Sequence, residues 1–149
     1  MVKRIIYPPI WLAFGLTAIF ALNEFLPGSR FTSGVSQGLG GALIVIGLWL
    51  LVSAGGLFHR AGTDLVPFRN VTSLVTEGVY RFTRNPMYLG MLSVLFGCAV
   101  TVGSTSALAV PVLFGIIIEL RFIRPEEAML RELFPADFAA YCERVRRWL

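Results

Sequence analysis

The sequence predicts an all-α integral membrane protein with four transmembrane helices. Of its 149 residues, 56% are hydrophobic and 15% are charged, and the mean hydropathy is strongly positive. Soluble domains of this length are rarely so apolar. The apolar residues fall into four runs, each near the length of about 20 residues that a helix needs to cross a bilayer. We therefore expect a single membrane domain over residues 1–149, with spans at about 5–26, 35–58, 87–103 and 105–123.

The second predicted span is rich in glycine. Gly34 and Gly38 form a G-x-x-x-G pair, and Gly41 and Gly47 add further small positions. Small residues let transmembrane helices approach one another closely. We interpret these glycines as helix-packing positions rather than as a binding site.

The third and fourth runs are predicted to form a helical hairpin, because only residues 104–106, Ser-Thr-Ser, separate them. Antiparallel helices joined by so short a turn have their outer ends on the same side of the membrane. Residues 84–90, at the start of the hairpin, should therefore lie beside residues 121–127, at its end. Two polar segments that are far apart in sequence are expected to meet there.

The distribution of positive charge predicts the topology. All lysines and arginines except Arg30 lie in or next to the N-terminal segment, the loop 59–86 and the tail 124–149. Positively charged loops remain on the cytoplasmic side, so we expect both termini, this loop and the tail to be cytoplasmic. The arginine-rich cytoplasmic face, which would lie against membrane lipid, accounts for the net charge of +4. No nucleic-acid partner is therefore expected.

The polar tail 124–149 is predicted to contain an amphipathic helix. Apolar side chains recur there at the spacing of one helix face: Phe138, Tyr141, Cys142 and Val145. One interpretation is a helix that lies on anionic lipid. The other is a lid over a functional site, with Arg144 facing inward.

The stretch from residue 81 to 90, Arg-Phe-Thr-Arg-Asn-Pro-Met-Tyr-Leu-Gly, is the leading candidate for a functional site. Pro86 disfavours the helical conformation for Asn85 and suits the first turn of a following helix. The N–H groups at such a helix start favour an anionic ligand. The alternative is an anchor at the membrane interface, in which Arg84 and Tyr88 contact lipid headgroups.

Residues 77–90 resemble the signature G-P-Y-R-x-x-R-[HN]-P-x-Y-x-G of the isoprenylcysteine carboxyl methyltransferase family. That family belongs to a wider group of membrane methyltransferases that includes the phospholipid methyltransferases. Its second element, Glu-Glu followed by L-x-x-x-F-G-x-E-Y-x-x-Y-x-x-R-V, is matched from Glu126-Glu127 to Val145. The resemblance covers residues 65–145. The departures are Val79 for Pro, Asn85 for the His of the eukaryotic enzymes, Pro135 for Gly and Phe138 for Tyr.

The resemblance implies methyl transfer from S-adenosyl-L-methionine to a lipophilic acceptor. No G-x-G-x-x-G or P-loop motif opens a βαβ unit, so helix ends and loops would have to bind this cofactor. The implied cofactor-binding residues are Gly78, Tyr80, Asn85, Pro86, Tyr88, Leu89, Gly90, Glu126 and Glu127. A side chain at Gly90 would block close approach of the cofactor.

The catalytic candidates are Arg84, Glu127 and Arg144. The two arginines either hold an anionic acceptor or pair with Glu126 or Glu127. A carboxylate acceptor is already ionised at neutral pH and needs no base. An amine or thiol acceptor must lose a proton, for which Glu127 is the nearest candidate base.

The sequence predicts no metal site, because it has a single histidine, His59, and no metal-ligand spacing. Cys98 and Cys142 are interpreted as small buried side chains rather than as a disulfide. The alternative function is a membrane scaffold or assembly factor that has the same fold and no activity. The intact pairs of arginines and carboxylates favour the enzyme.

Overall fold

A computed structural model describes residues 7–60 and 73–149 as a helical protein. These ranges contain no β-strand, only one isolated bridge between Arg30 and Ser104. The α-helices are α1 (Pro8–Phe25), α2 (Gly34–Arg60), α3 (Pro86–Val102), α4 (Ala109–Ile118), α5 (Arg124–Leu133) and α6 (Pro135–Arg144). The described residues also form two 3₁₀ turns, Gly78–Arg81 and Ser106–Leu108, and one π-helical segment, Glu119–Ile123. The predicted all-α class is confirmed.

Within the described part of the chain, three helices are long and apolar enough to cross a membrane: Pro8–Phe25, Gly34–Arg60 and Ser106–Leu133. Helix α3 is apolar but shorter, with 17 residues. The four-span topology stays a prediction. The predicted start of the first span at Ile5, the basic residues before it and positions 61–72 of the predicted loop 59–86 lie outside the described residues.

The fourth apolar helix does not end at residue 123 as the sequence interpretation expected. Its helical course continues from α4 through the π-helical segment into α5 and ends at Leu133. Pro125 lies within this continuous helix. In the π-helical segment the N–H of Arg124 bonds to the carbonyl of Glu119, five residues back. This wider turn accommodates the proline ring, which in an ordinary α-helix crowds the carbonyl four residues earlier.

The tail contains two helices instead of the single amphipathic helix that was expected. The backbone leaves the helical conformation at Phe134, and Pro135 opens α6. The predicted apolar face is packed inside the protein, since Phe138 and Tyr141 are almost fully buried. They contact Val79 and other side chains around the 3₁₀ turn Gly78–Arg81. Helix α6 thus covers the segment that leads into α3.

Glycines allow α2 and α3 to cross at very short range. A β-carbon at Gly47 would lie 2.6 Å from the carbonyl oxygen of Gly90, and one at Gly97 would lie 2.6 Å from that of Gly40. The G-x-x-x-G pair singled out in the sequence is on another face, because a β-carbon at Gly34 or Gly38 would meet no atom within 4 Å. Within the described ranges of this chain the packing interpretation is therefore confirmed for Gly47, whereas Gly34, Gly38 and Gly41 contact no other helix.

Because of this crossing, we expect glycine-to-alanine substitutions at two positions of α2 to differ in their effect on stability. In Gly47→Ala the new methyl group overlaps α3 backbone, so we expect a loss of about 1–3 kcal/mol in stability. In Gly41→Ala the methyl group enters open space, and we expect no loss. Unfolding of both variants in the same detergent measures the difference. Equal stabilities would contradict the close crossing.

Candidate active site

The N-terminal end of α3 forms one wall of the site. Asn85 has a non-helical backbone, with φ −129° and ψ 53°, as proline disfavours the helical conformation in the preceding residue, and Pro86 is the first helical residue. The Asn85 side chain does not cap the helix. Instead its Nδ2 donates to the carbonyl of Arg147 at 3.0 Å, and its backbone N–H donates to Thr83 Oγ1 at 3.1 Å. The first turn of α3 is therefore left without a side-chain cap.

Tyr88 and Glu126 join the two motif blocks through a hydrogen bond. The Tyr88 hydroxyl donates to Glu126 Oε2 at 2.9 Å, and its ring lies 6.4 Å from that of Phe122, centroid to centroid. Tyr88 is only 7% exposed. Among residues 7–60 and 73–149, no lysine or arginine forms an ion pair with Glu126. This carboxylate thus keeps unshared acceptor capacity beside a buried phenol.

Glu127 has the opposite environment, because arginines occupy both of its oxygens. Oε1 accepts from Arg84 Nη2 at 2.9 Å and from Arg147 Nε at 3.0 Å. Oε2 accepts from Arg147 Nη2 at 2.7 Å, and Arg131 Nη2 lies at 3.6 Å from it. Glu127 is 4% exposed. Charge-assisted bonds of this kind are short and strong, so Glu127 is a structural centre of the site.

Glu119 extends this network into the π-helical segment. Its Oε1 accepts from Arg147 Nη1 at 3.2 Å and from Arg124 Nη2 at 3.0 Å, and its Oε2 accepts from the Trp148 indole at 3.2 Å. We name Arg84, Arg147, Glu119 and Glu127 the arginine–glutamate cluster. Hydrogen bonding to Glu127 raises the pKa of Arg147 above its ordinary value, so its guanidinium is always charged.

The last five residues, 145–149, which we name the C-terminal strap, run back along the segment before α3. The backbone N–H of Arg84 donates to the carbonyl of Arg146 at 3.0 Å. The Arg84 guanidinium donates to the carbonyl of Val145 at 2.8 Å, and Thr83 Oγ1 donates to that of Arg147 at 3.1 Å. The strap therefore holds the first motif block through its backbone.

Tyr80 anchors α6 from the other side of the site. The Tyr141 hydroxyl donates to the Tyr80 carbonyl at 2.6 Å, and the Tyr80 ring meets Phe58 edge to face at 5.6 Å. Burial raises the pKa of both tyrosines, so their hydroxyls stay protonated. Gly78 has φ +57°, and a β-carbon there would lie 2.8 Å from the Leu57 side chain. Both facts explain the glycine at this turn.

The structure brings together six of the predicted site residues: Arg84, Asn85, Pro86, Tyr88, Glu126 and Glu127. It separates others. Gly90 contacts α2, where a β-carbon would lie 2.8 Å from the carbonyl of Gly47, so packing alone requires a glycine there, and its expected place beside the cofactor stays a prediction. Arg144 does not face inward: it is exposed, and its Nε donates to Ala140 in its own helix.

Sequence reasoning missed Arg147, Glu119 and Thr83. Arg147 occupies the place that had been expected for Arg144. One signal was present, because Glu119 is a carboxylate at the end of a long apolar run. Such a group needs a cationic partner in or near a membrane. The search for that partner leads to the arginines of the tail.

An open apolar groove of about 350 Å³ runs between α3 and α4. Its lining is hydrocarbon except at one end, where Glu119 and Trp148 lie. The apolar lining residues are Leu89, Leu92, Phe96, Pro111, Val112, Gly115 and Ile116. The groove thus connects an apolar helix surface with the arginine–glutamate cluster. Leu89, which follows Tyr88 in the sequence, lines this groove.

Comparison with known proteins assigns the chain to a family. The model of the phospholipid methyltransferase family matches residues 35–137, which include the first motif block and the beginning of the second. The protein-S-isoprenylcysteine O-methyltransferase B of Arabidopsis thaliana is 29% identical over 143 residues, covering 89% of this chain and 71% of the relative. No solved structure matches the chain. The chain therefore belongs to the phospholipid methyltransferase family and is a membrane methyltransferase similar to the isoprenylcysteine O-methyltransferases.

Proposed function

We propose that this methyltransferase uses S-adenosyl-L-methionine to methylate a lipophilic acceptor at the cytoplasmic face of the membrane. The observation that carries the proposal is the Tyr88–Glu126 pair at the start of α3. Glu126 belongs to the motif blocks but has no arginine partner among the described residues, whereas the adjacent Glu127 is fully engaged.

The residues around this pair fit the proposed cofactor. A carboxylate and an aromatic face stabilise a cation such as a sulfonium, and Glu126 and Tyr88 supply both. The uncapped first turn of α3 offers N–H groups to the carboxylate of the cofactor. Asn85 and Pro86 set the position of this turn, while Gly78 and Tyr80 shape the loop that leads to it.

The cofactor supplies an electrophilic methyl group, which passes from sulfur to a lone pair of the acceptor and leaves S-adenosylhomocysteine. For a carboxylate acceptor no proton moves, and the protein has only to align the groups and exclude water. An amine or thiol acceptor loses one proton. Because arginines occupy both oxygens of Glu127, Glu126 is the better candidate to receive it.

The groove between α3 and α4 supports a lipophilic acceptor that enters sideways from the bilayer. Its apolar lining suits a hydrocarbon chain, and its polar end lies at Glu119 and Trp148. The Arabidopsis relative is named as an enzyme that methylates S-isoprenylcysteine in proteins. A prenylcysteine carboxylate is therefore the first acceptor to test, and lipid amines are the second.

The proposed topology has four spans, with both termini cytoplasmic. Helix α3 is the third of these spans in chain order although it is short, since its 17 residues extend only about 26 Å. Local thinning of the bilayer accommodates such a helix at modest cost. Arg124, Arg131, Arg144 and Arg146 are exposed near the site, which agrees with a cytoplasmic position under the positive-inside rule.

Calorimetry with S-adenosylmethionine and S-adenosylhomocysteine tests the proposal on the detergent-purified protein. We expect binding by the wild type, reduced about 5- to 10-fold in Tyr88→Phe, which loses one hydrogen bond and keeps the ring. Tyr7→Phe, the same change at an exposed position before α1, is the matched control and should bind normally. A folded wild type that binds neither compound would refute the proposed cofactor.

A further inference from the structure

One residue of the C-terminal strap contacts both motif blocks. The carbonyl of Arg147 accepts from Thr83 Oγ1 at 3.1 Å and from Asn85 Nδ2 at 3.0 Å, directly before α3. Its guanidinium donates to Glu127 on α5 and to Glu119 in the π-helical segment. Arg147 therefore bridges the start of α3 and the start of α5, which carry Tyr88 and Glu126.

The neighbouring arginines do not share this role. The side chains of Arg144 and Arg146 are exposed, and Arg144 bonds only within its own helix. The Arg147 side chain is one-third exposed, yet its Nε, Nη1 and Nη2 all have carboxylate acceptors. A residue that only contacted lipid headgroups would direct its guanidinium toward solvent, as its neighbours do.

The contacts of Arg147 affect the relative positions of Tyr88 and Glu126, the two residues proposed to bind the cofactor. Asn85 is the residue before α3, and Tyr88 lies in the first turn of that helix. Glu126 precedes Glu127 in the first turn of α5. A change in the separation of the two helix starts therefore alters the distance between Tyr88 and Glu126, although the Arg147 guanidinium forms its ion pairs with Glu127 and Glu119.

We propose that Arg147 is a positioning residue for cofactor binding, which fixes the start of α3 against the start of α5. This inference rests on the proposed function, because the affinity that it controls is that for S-adenosylmethionine. The strap lies beyond residues 35–137, the range matched by the family model. The positioning residue, Arg147, thus follows the end of the second motif block at Val145.

The first test compares Arg147→Ala with Arg146→Ala, a neighbouring exposed arginine. We expect the affinity for S-adenosylmethionine, measured by calorimetry on folded protein, to fall at least 10-fold in Arg147→Ala and to stay unchanged in Arg146→Ala. Arg147→Lys keeps the charge but cannot reproduce the paired contacts to Glu127, so it should restore only part of the affinity. Equal affinity in Arg147→Ala and wild type would overturn the proposal.

The second test measures the positioning without any cofactor. Spin labels at the exposed residues Phe82 and Ala128 report the distance between the two helix starts, in a background with both native cysteines replaced by serine. We expect the distance distribution to broaden in Arg147→Ala and not in Arg146→Ala. An unchanged distribution would overturn the inference, whether or not the wild type binds the cofactor. If the distribution broadens in Arg147→Ala but the wild type does not bind the cofactor, the proposed function is refuted and the positioning contact stands.

Discussion

Replacement of Glu127 by alanine is expected to destabilise the protein by about 3–5 kcal/mol, the largest loss that we expect from a single substitution. The variant leaves Arg84, whose side chain is 12% exposed, without its carboxylate partner. Arg147 loses two of its contacts at the same time. Removing one member of a buried ion network costs this much because the remaining charges stay buried without compensation.

Unfolding by denaturant in a single detergent measures this loss. Glu132→Ala is the matched control, because Glu132 lies on the same helix α5 and is exposed, and we expect a change within about 0.5 kcal/mol there. A Glu127→Ala variant that is as stable as the control would contradict the structural role assigned to this residue.

A triple variant separates the cost of buried charge from the loss of packing. When Arg84, Glu127 and Arg147 are all replaced by methionine, no uncompensated charge remains, and apolar contacts fill similar volume. We expect this protein to be more stable than Glu127→Ala alone. If it is less stable, the hydrogen bonds of the cluster matter more than the compensation of charge.

Glu126→Gln is expected to abolish most cofactor binding while it leaves the fold intact. Loss of one charge from a close pair in a dry site costs about 2–5 kcal/mol, which is roughly 30-fold to several thousand-fold in affinity. The amide oxygen still accepts the Tyr88 hydroxyl, the one side-chain hydrogen bond of Glu126 among residues 7–60 and 73–149. Stability should therefore change little.

Calorimetry with S-adenosylmethionine and a methyl-transfer assay on the same preparation check this prediction. Glu132→Gln, on the exposed face of α5, is the control for the loss of a negative charge. The combination of weak binding and normal unfolding in Glu126→Gln distinguishes it from Glu127 variants, whose loss of binding can follow from unfolding. Wild-type affinity in Glu126→Gln would exclude this carboxylate from the cofactor site.

The meeting of the two motif blocks could be predicted from sequence because it depends on simple lengths. Two apolar runs separated by a very short turn place their outer ends together, and Tyr88 and Glu126 are indeed in hydrogen-bond contact. The identity of the partner arginine could not be predicted in this way. Helix α6 ends at Arg144 and the backbone is extended at Val145, so the face on which Arg147 lies does not follow from the helical periodicity.

The π-helical segment and the helix crossing were also beyond the sequence pattern. No composition signal marks Glu119–Ile123 as π-helical, and Pro125 is more often the end of a helix than part of a continuous one. For α2, the spacing of glycines identifies a helix that can pack closely but not the face it uses. The contact face is identified only by the partner helix, where Gly97 and Gly90 lie opposite Gly40 and Gly47.

The continuous helix from Ser106 to Leu133 links the depth of the site to the thickness of the bilayer. Its 28 residues extend roughly 42 Å, whereas the hydrocarbon core is about 30 Å thick. Glu126 lies roughly 30 Å along this rod from Ser106, so under the proposed topology, with Ser106 at one hydrocarbon boundary, we expect it near the other. A longer acyl chain in the surrounding lipid would place this carboxylate below the headgroups unless the bilayer thins locally or the tilt of the helix decreases. If Glu126 binds the methyl donor as proposed, we therefore expect lipid chain length to affect how readily a water-soluble donor reaches this site.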